Sequence, residues 1–226
     1  MAKQIATGTG AMMTETDRDK KFIKVDLSGY SYSGSCYRND ASIMFFASNS
    51  YLSAFLTLRK EMKRRFKKYV DKDIAHLIMP YYFNFRHYVE LELKGLYIAI
   101  SNDSPIFTHD LNKLIGSVTS KLEGLCFNQI DGSYNQIDEP SFITKQQEAI
   151  LLCKSLEKLI GEYTSNEPTV EYYRYVFENE NRYISLKNPQ IELDFHYTKE
   201  LFESIRKTFA NLRLKLIEFI YVQFLF

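Results

Sequence analysis

The chain is poor in the residues that announce most chemistries. It has no tryptophan, five prolines, nine glycines, three cysteines and four histidines in 226 residues. The cysteines, Cys36, Cys126 and Cys153, are odd in number, widely spaced and free of any Cys-x-x-Cys pair. That excludes a disulfide scaffold or a zinc ribbon and points to a reducing compartment, the cytoplasm. There is no glycine-rich phosphate loop, no Gly-x-Ser-x-Gly, no His-Glu-x-x-His and no catalytic Cys-His signature. His76, His87, His109 and His196 show no metal-ligand spacing, so neither a metal nor a cofactor is expected. The acids in the loop from Phe127 to Pro140 do not alternate as a calcium loop requires. The most apolar stretch, the closing L-I-E-F-I-Y-V-Q-F-L-F, is broken by Glu218 and Gln223. It falls well short of the roughly 20 apolar residues that span a bilayer, so no membrane contact is expected.

What the chain does have is a globular composition, 45% hydrophobic and 25% charged, with 17 tyrosines and 17 phenylalanines to fill a core. Net charge is only +1 but is unevenly placed: residues 1–72 hold 14 Lys and Arg against 7 Asp and Glu. Most of that excess lies between Arg59 and Lys68, where Glu61 is the only acid among Arg59, Lys60, Lys63, Arg64, Arg65, Lys67 and Lys68. Basic residues in the last turns of a helix suit its dipole. Their density also matches a nucleic-acid footprint in which Arg64 and Arg65 would contact substrate. Both readings stay open at this point.

Periodicity predicts an all-α, antiparallel bundle of four to five helices. Residues 1–40 read as a leader followed by an irregular arm; residues 1–12 look appended, with Met13 the expected native start. Residues 41–226 form one bundle domain. From Ala41 to about Val70, Ile43, Phe46, Tyr51, Phe55, Leu58, Met62 and Phe66 recur at helical spacing. A second helix is expected from about Ile74 to Ile100, with Pro80 either kinking it or marking where its regular part begins. Thr108 or Asp110 caps a third helix ending near Leu125. The fourth runs from about Ser141 to Tyr163, an extended or hairpin-like excursion covers 169–187, and the last helix spans Tyr197 to Phe226. Tyr81, Tyr82, Phe83 and Phe85 precede the most polar stretch of the second helix and are expected in the core.

On that second helix, Arg86, Glu90 and Lys94 share a stripe at four-residue spacing, with His87 beside them. Such a stripe can be a stabilised helix surface, each pair contributing about 0.2–0.5 kcal/mol. Equally, His109 and Asp110 at the start of the third helix can be simple capping residues.

Three strings together resemble the HEPN superfamily of small helical bundles. R-H-Y-V-E-L-E-L-K-G-L (Arg86–Leu96) is similar to a family helix in which His precedes Glu, Lys and Leu. T-H-D-L-N-K-L-I (Thr108–Ile115) is similar to its following helix start, and Arg174-Tyr175 resembles a downstream Arg-Tyr pair. The resemblance covers about a third of the chain. It implies a homodimeric cytoplasmic protein that binds or acts on RNA in a stress or phage-defence setting. It places catalysis on Arg86, His87 and Glu90, and substrate contacts on Lys94, His109, Asp110 and Arg174. The chain departs from the family's ribonucleases in one respect: none of its histidines follows an arginine with four to six residues between. Either an atypical site performs metal-independent RNA cleavage, or the chain is a non-catalytic module for a partner protein or nucleotide.

Overall fold

The computed structural model describes residues 5–6, 12–13, 39–66, 75–101, 103–104, 106–126, 139–165 and 195–220. Five helices account for nearly all of them: α1 (Asn39–Phe66), α2 (Ala75–Ser101), α3 (Leu111–Glu123), α4 (Glu139–Ser165) and α5 (Phe195–Ile220). They belong to one compact unit, Cys36–Phe226. A second unit, Met1–Ser35, contains a short antiparallel pairing of β1 (Ile5–Ala6) with β2 (Met12–Met13), Ile5 opposite Met13. The expected excursion at 169–187, and Arg174 with it, lies outside the described residues.

Side-chain contacts fix the direction of each helix. Along α1 and α2 the partners run in opposite order: Ser48 meets Glu92, Tyr51 meets His87, and Phe55 meets Tyr81. Those two helices are antiparallel. So are α3 and α4, where Asn112 bonds Thr164 while Gln146 bonds the carbonyls of Leu122 and Leu125. The pair α4 and α5 is antiparallel as well, with Tyr163 on Phe202 and Glu148 on Lys215. The step from α2 to α3 differs. Glu90 meets His109, and Asp103, just beyond the end of α2, meets Lys121. The connection after Ser101 therefore carries the chain back along α2, and α3 sets out again in α2's own direction. This bundle is antiparallel with one crossover.

The core is aromatic. Phe202 of α5 stacks on Phe85 with centroids 3.8 Å apart and meets the rings of Phe55, Tyr81, Tyr82 and Tyr163. The expectation that Tyr81 and Phe85 serve the core holds: both are buried. The helix runs through Pro80, whose carbonyl accepts from the Asn84 side-chain amide at 2.6 Å. Between Ala41 and Leu58, α1 carries no charged side chain. By length and composition alone it is apolar enough to cross a bilayer. Ala41, Phe45, Ser48 and Phe55 are buried against the bundle, while most of the same stretch, Ile43 and Leu56 included, is exposed or half-buried.

Candidate functional site

The crossover ends in a tightly tied Thr-His-Asp string. The Thr108 amide donates to the Ile106 carbonyl at 3.0 Å, and the Thr108 hydroxyl accepts from the Asp110 amide at 3.2 Å. Asp110 is the N-cap of α3, in extended conformation, and its carboxylate accepts from the amides of Asn112 and Lys113. His109, between these two turn-makers, is directed back onto α2. Its Nδ1 donates to Glu90 Oε1 at 2.9 Å, and its backbone carbonyl accepts from Arg86 Nη2 at 2.7 Å.

Glu90 is the centre of the arrangement. Its carboxylate is 5% exposed and accepts from Lys94 Nζ at 2.8 Å as well as from His109. Burial pushes its pKa up. The hydrogen bonds from Lys94 and His109, with the charges of both, outweigh burial and hold it below the ordinary carboxylate value. Glu90 is therefore an anion at neutral pH, and it fixes the His109 ring with its proton on Nδ1. The His109 side chain is 54% exposed. An exposed imidazole held by a buried carboxylate has the orientation that general base catalysis requires. Arg86 is different. At 1% exposure it braces the crossover from beneath and meets no solvent.

The two histidines separate. His87 does not join the Glu90 carboxylate; it stacks between Phe83 and Tyr51, with centroids 4.1 and 5.0 Å away, and Nδ1 donates to the Phe83 carbonyl at 3.2 Å. Helical geometry explains this, because adjacent residues on α2 diverge by about 100° and His87 falls on the α1 side. Arg64 and Arg65 both bind Glu61, and Arg65 also meets His76 at 3.2 Å. Hydrogen bonds from Arg64 and Arg65 bring the Glu61 pKa down to about 2. Those contacts tie Arg64 and Arg65 into an ionic network on α1, away from His109. The structure thus gathers Arg86, Glu90, Lys94, His109 and Asp110, and leaves His87, Arg64 and Arg65 elsewhere. Among the described residues no cluster of His, Cys, Asp or Glu is arranged to hold a metal ion. Cys153 is buried, its thiol pushed up to about 12 by burial, so it is no nucleophile.

Two features escaped the sequence reading. Glu92 is 1% exposed; one oxygen accepts from Ser48 and from Arg213 Nη1 at 3.4 Å, and Oε2 has no hydrogen-bond partner among the described residues. The signal was available, since two residues along a helix is about 200°, which puts Glu92 opposite the Glu90 stripe, among apolar neighbours. The second is a groove of about 730 Å³ between α2 and α3, beside a phenylalanine, Phe107, that stands 94% exposed. Nothing in the local sequence distinguishes that Phe from a core residue.

No family model matches the chain, and no curated protein or solved structure is significantly similar to it.

Proposed function

We propose that this protein is a HEPN-like cytoplasmic homodimer that acts on RNA in a stress or phage-defence setting, with His109 rather than His87 at the reacting position. The observation that carries this reading is the half-exposed His109 imidazole held through Nδ1 by the buried Glu90 carboxylate. In metal-independent cleavage, Nε2 takes the ribose 2′-hydroxyl proton. The 2′-oxygen attacks phosphorus and the bond to the 5′-oxygen breaks; the leaving oxygen takes a proton from water, so that a cyclic phosphate and a 5′-hydroxyl result, and the imidazolium returns its proton to solvent. Glu90 stabilises the imidazolium formed on the way. Lys113, one turn into α3, supplies an exposed cation for the developing phosphate charge.

The test is incubation of the pure protein with total RNA in chelator, beside His109→Ala, Glu90→Gln and His87→Ala. Fragmentation should fall by about 100-fold or more in His109→Ala, fall in Glu90→Gln, and persist in His87→Ala. Intact RNA with the unaltered protein would overturn the enzymatic reading.

A second reading, a non-catalytic module for a partner protein or nucleotide, is favoured by one observation. Arg86 is sealed beneath the crossover and donates to a backbone carbonyl, which is how a brace is used rather than a phosphate ligand. Intact RNA in every lane would select it.

A further inference from the structure

We propose that Glu92 is a carboxylic acid rather than a carboxylate in the folded protein at neutral pH, that it donates a hydrogen bond to Ser48, and that loss of its proton releases the first half of α1 from α2. The inference concerns the face of α2 opposite the Glu90 stripe and stands whether or not the protein acts on RNA.

The hydrogen-bond inventory of Ser48 carries the assignment. Ser48 is fully buried, and its Oγ lies within bonding distance of two oxygens, the Phe45 carbonyl at 2.9 Å and Glu92 Oε1. A hydroxyl has one proton to give and two lone pairs with which to accept. The carbonyl can only accept. Both contacts are therefore hydrogen bonds only if Ser48 donates to Phe45 and Glu92 supplies the proton of the other bond. The result is a one-way chain from the Glu92 carboxyl through the Ser48 hydroxyl to the Phe45 carbonyl, and it joins α2 to α1.

The surroundings of the carboxyl agree. Oε2 is buried and has no hydrogen-bond partner among the described residues, which costs an uncharged acid far less than it costs a carboxylate. Arg213 of α5 is poorly placed as a counter-ion. Its Nη1 reaches Oε1, not Oε2, and only at 3.4 Å, while the guanidinium lies 4.3 Å over the Phe45 ring. Glu90, a true anion, draws Lys94 and His109 to 2.8 and 2.9 Å. No other charge compensates Glu92: α1 has none between Ala41 and Leu58, and the group coupled to it on α2 is Tyr88, one turn back. Burial favours the protonated form, with Arg213 and Ser48 opposing it.

When the proton leaves for solvent, Ser48 must turn its own proton from the Phe45 carbonyl to the carboxylate, and Oε2 becomes part of a buried charge. Water entering between α1 and α2, or Arg213 leaving the Phe45 ring, would relieve that charge. Either one loosens the seat of Phe45, whose ring lies so close to Gly95 that a Cβ there would be 2.7 Å away. The junction is closed with the proton in place and opens without it.

Infrared difference spectroscopy tests the protonation state. The carbonyl stretch of a protonated carboxyl group, separate from the carboxylate bands, should be present at neutral pH in the unaltered chain and missing from Glu92→Gln. Amide hydrogen exchange, corrected for the intrinsic effect of pH, tests the release. As pH is raised from neutrality, protection of the α1 amides around Ser48 should fall by at least about 10-fold relative to those of α3. In Glu92→Gln, whose amide can donate to Ser48 as the acid does but cannot ionise, the ratio should stay constant. A spectrum without the protonated band would overturn the assignment and the switch together. A band accompanied by α1 protection that follows α3 at every pH would overturn the release.

Discussion

Two glutamates, two positions apart on α2, show how burial alone does not decide the behaviour of a carboxylate. Glu90 is held below its ordinary pKa despite burial, because Lys94 and His109 both donate to it. Glu92 is raised: burial dominates, and Arg213 and the Ser48 hydroxyl only partly offset it. Tyr88, one turn away on α2, is also electrostatically coupled to it. The linkage signs of the two glutamates are opposite. A depressed carboxylate contributes stability above its unfolded pKa, and this is lost as pH falls through the folded value. A raised one contributes below its unfolded pKa, and this is lost as pH rises through the folded value. Glu90→Gln should therefore cost about 2–3 kcal/mol near neutrality, with the penalty shrinking as acid protonates the unaltered protein. Glu92→Gln should do the reverse, gaining on the unaltered protein as pH rises above the ordinary carboxylate value. Melting temperatures of the three proteins across that rise decide it. A Glu92→Gln difference that stays flat or declines with pH would contradict the assignment. The Glu90–Lys94 pair was legible in the sequence, since four-residue spacing on a helix brings ends together. Its bond to His109 was not, because residues 19 apart are joined by the path of the crossover, which no local period encodes.

At the scale of single elements the helices were readable because their signals are local: apolar residues at three and four spacings and an Asp cap before α3; Glu139-Pro140, read as a loop break, is instead the first turn of α4. Packing against neighbours decides what local signals cannot, and the helical glycines demonstrate it. Gly95 and Gly161 are equivalent by propensity, each disfavouring its helix by about 1 kcal/mol relative to alanine. A Cβ at Gly95, however, would stand 2.7 Å from the Phe45 ring, which is buried and lies under the Arg213 guanidinium. At Gly161 a Cβ would meet nothing within 4 Å. Gly161→Ala should stabilise the protein by up to about 1 kcal/mol. Gly95→Ala should be a net loss, with about 1–3 kcal/mol of overpacking outweighing the helix gain. Denaturant midpoints for the pair measure the difference. Equal shifts would mean that Phe45 yields freely and that α1 and α2 are not closely locked there. The cap gives a third check on α3: Asp110→Ala should cost about 1 kcal/mol by releasing the amides of Asn112 and Lys113.

The whole molecule turns on how a chain that doubles back along α2 still closes one core. Because α3 runs in α2's direction, α4 must return against it, and α5 then lies against α4 with its face toward α1 and α2. Every one of these contacts is non-local, which is why the all-α bundle was foreseeable and the crossover was not. Phe202 is where the closure happens. It meets Phe55 of α1, Tyr81, Tyr82 and Phe85 of α2, and Tyr163 of α4, so one side chain joins four of the five helices. Phe85 has a comparable set of rings around it but sits on a helix already fixed by α1 and α3. Removing Phe202 therefore does more than leave a cavity: it detaches α5 from the aromatic cluster that orients it. Phe202→Ala should lose about 3–5 kcal/mol, at the upper end for a core aromatic, whereas Phe202→Leu, which keeps most of the volume, should cost appreciably less. If α5 closes the core as one cooperative unit, both variants will still unfold in a single transition. A Phe202→Ala protein in which α5 amides exchange early while α1 and α2 stay protected would show instead that α5 is a separable layer on a core made by the other helices.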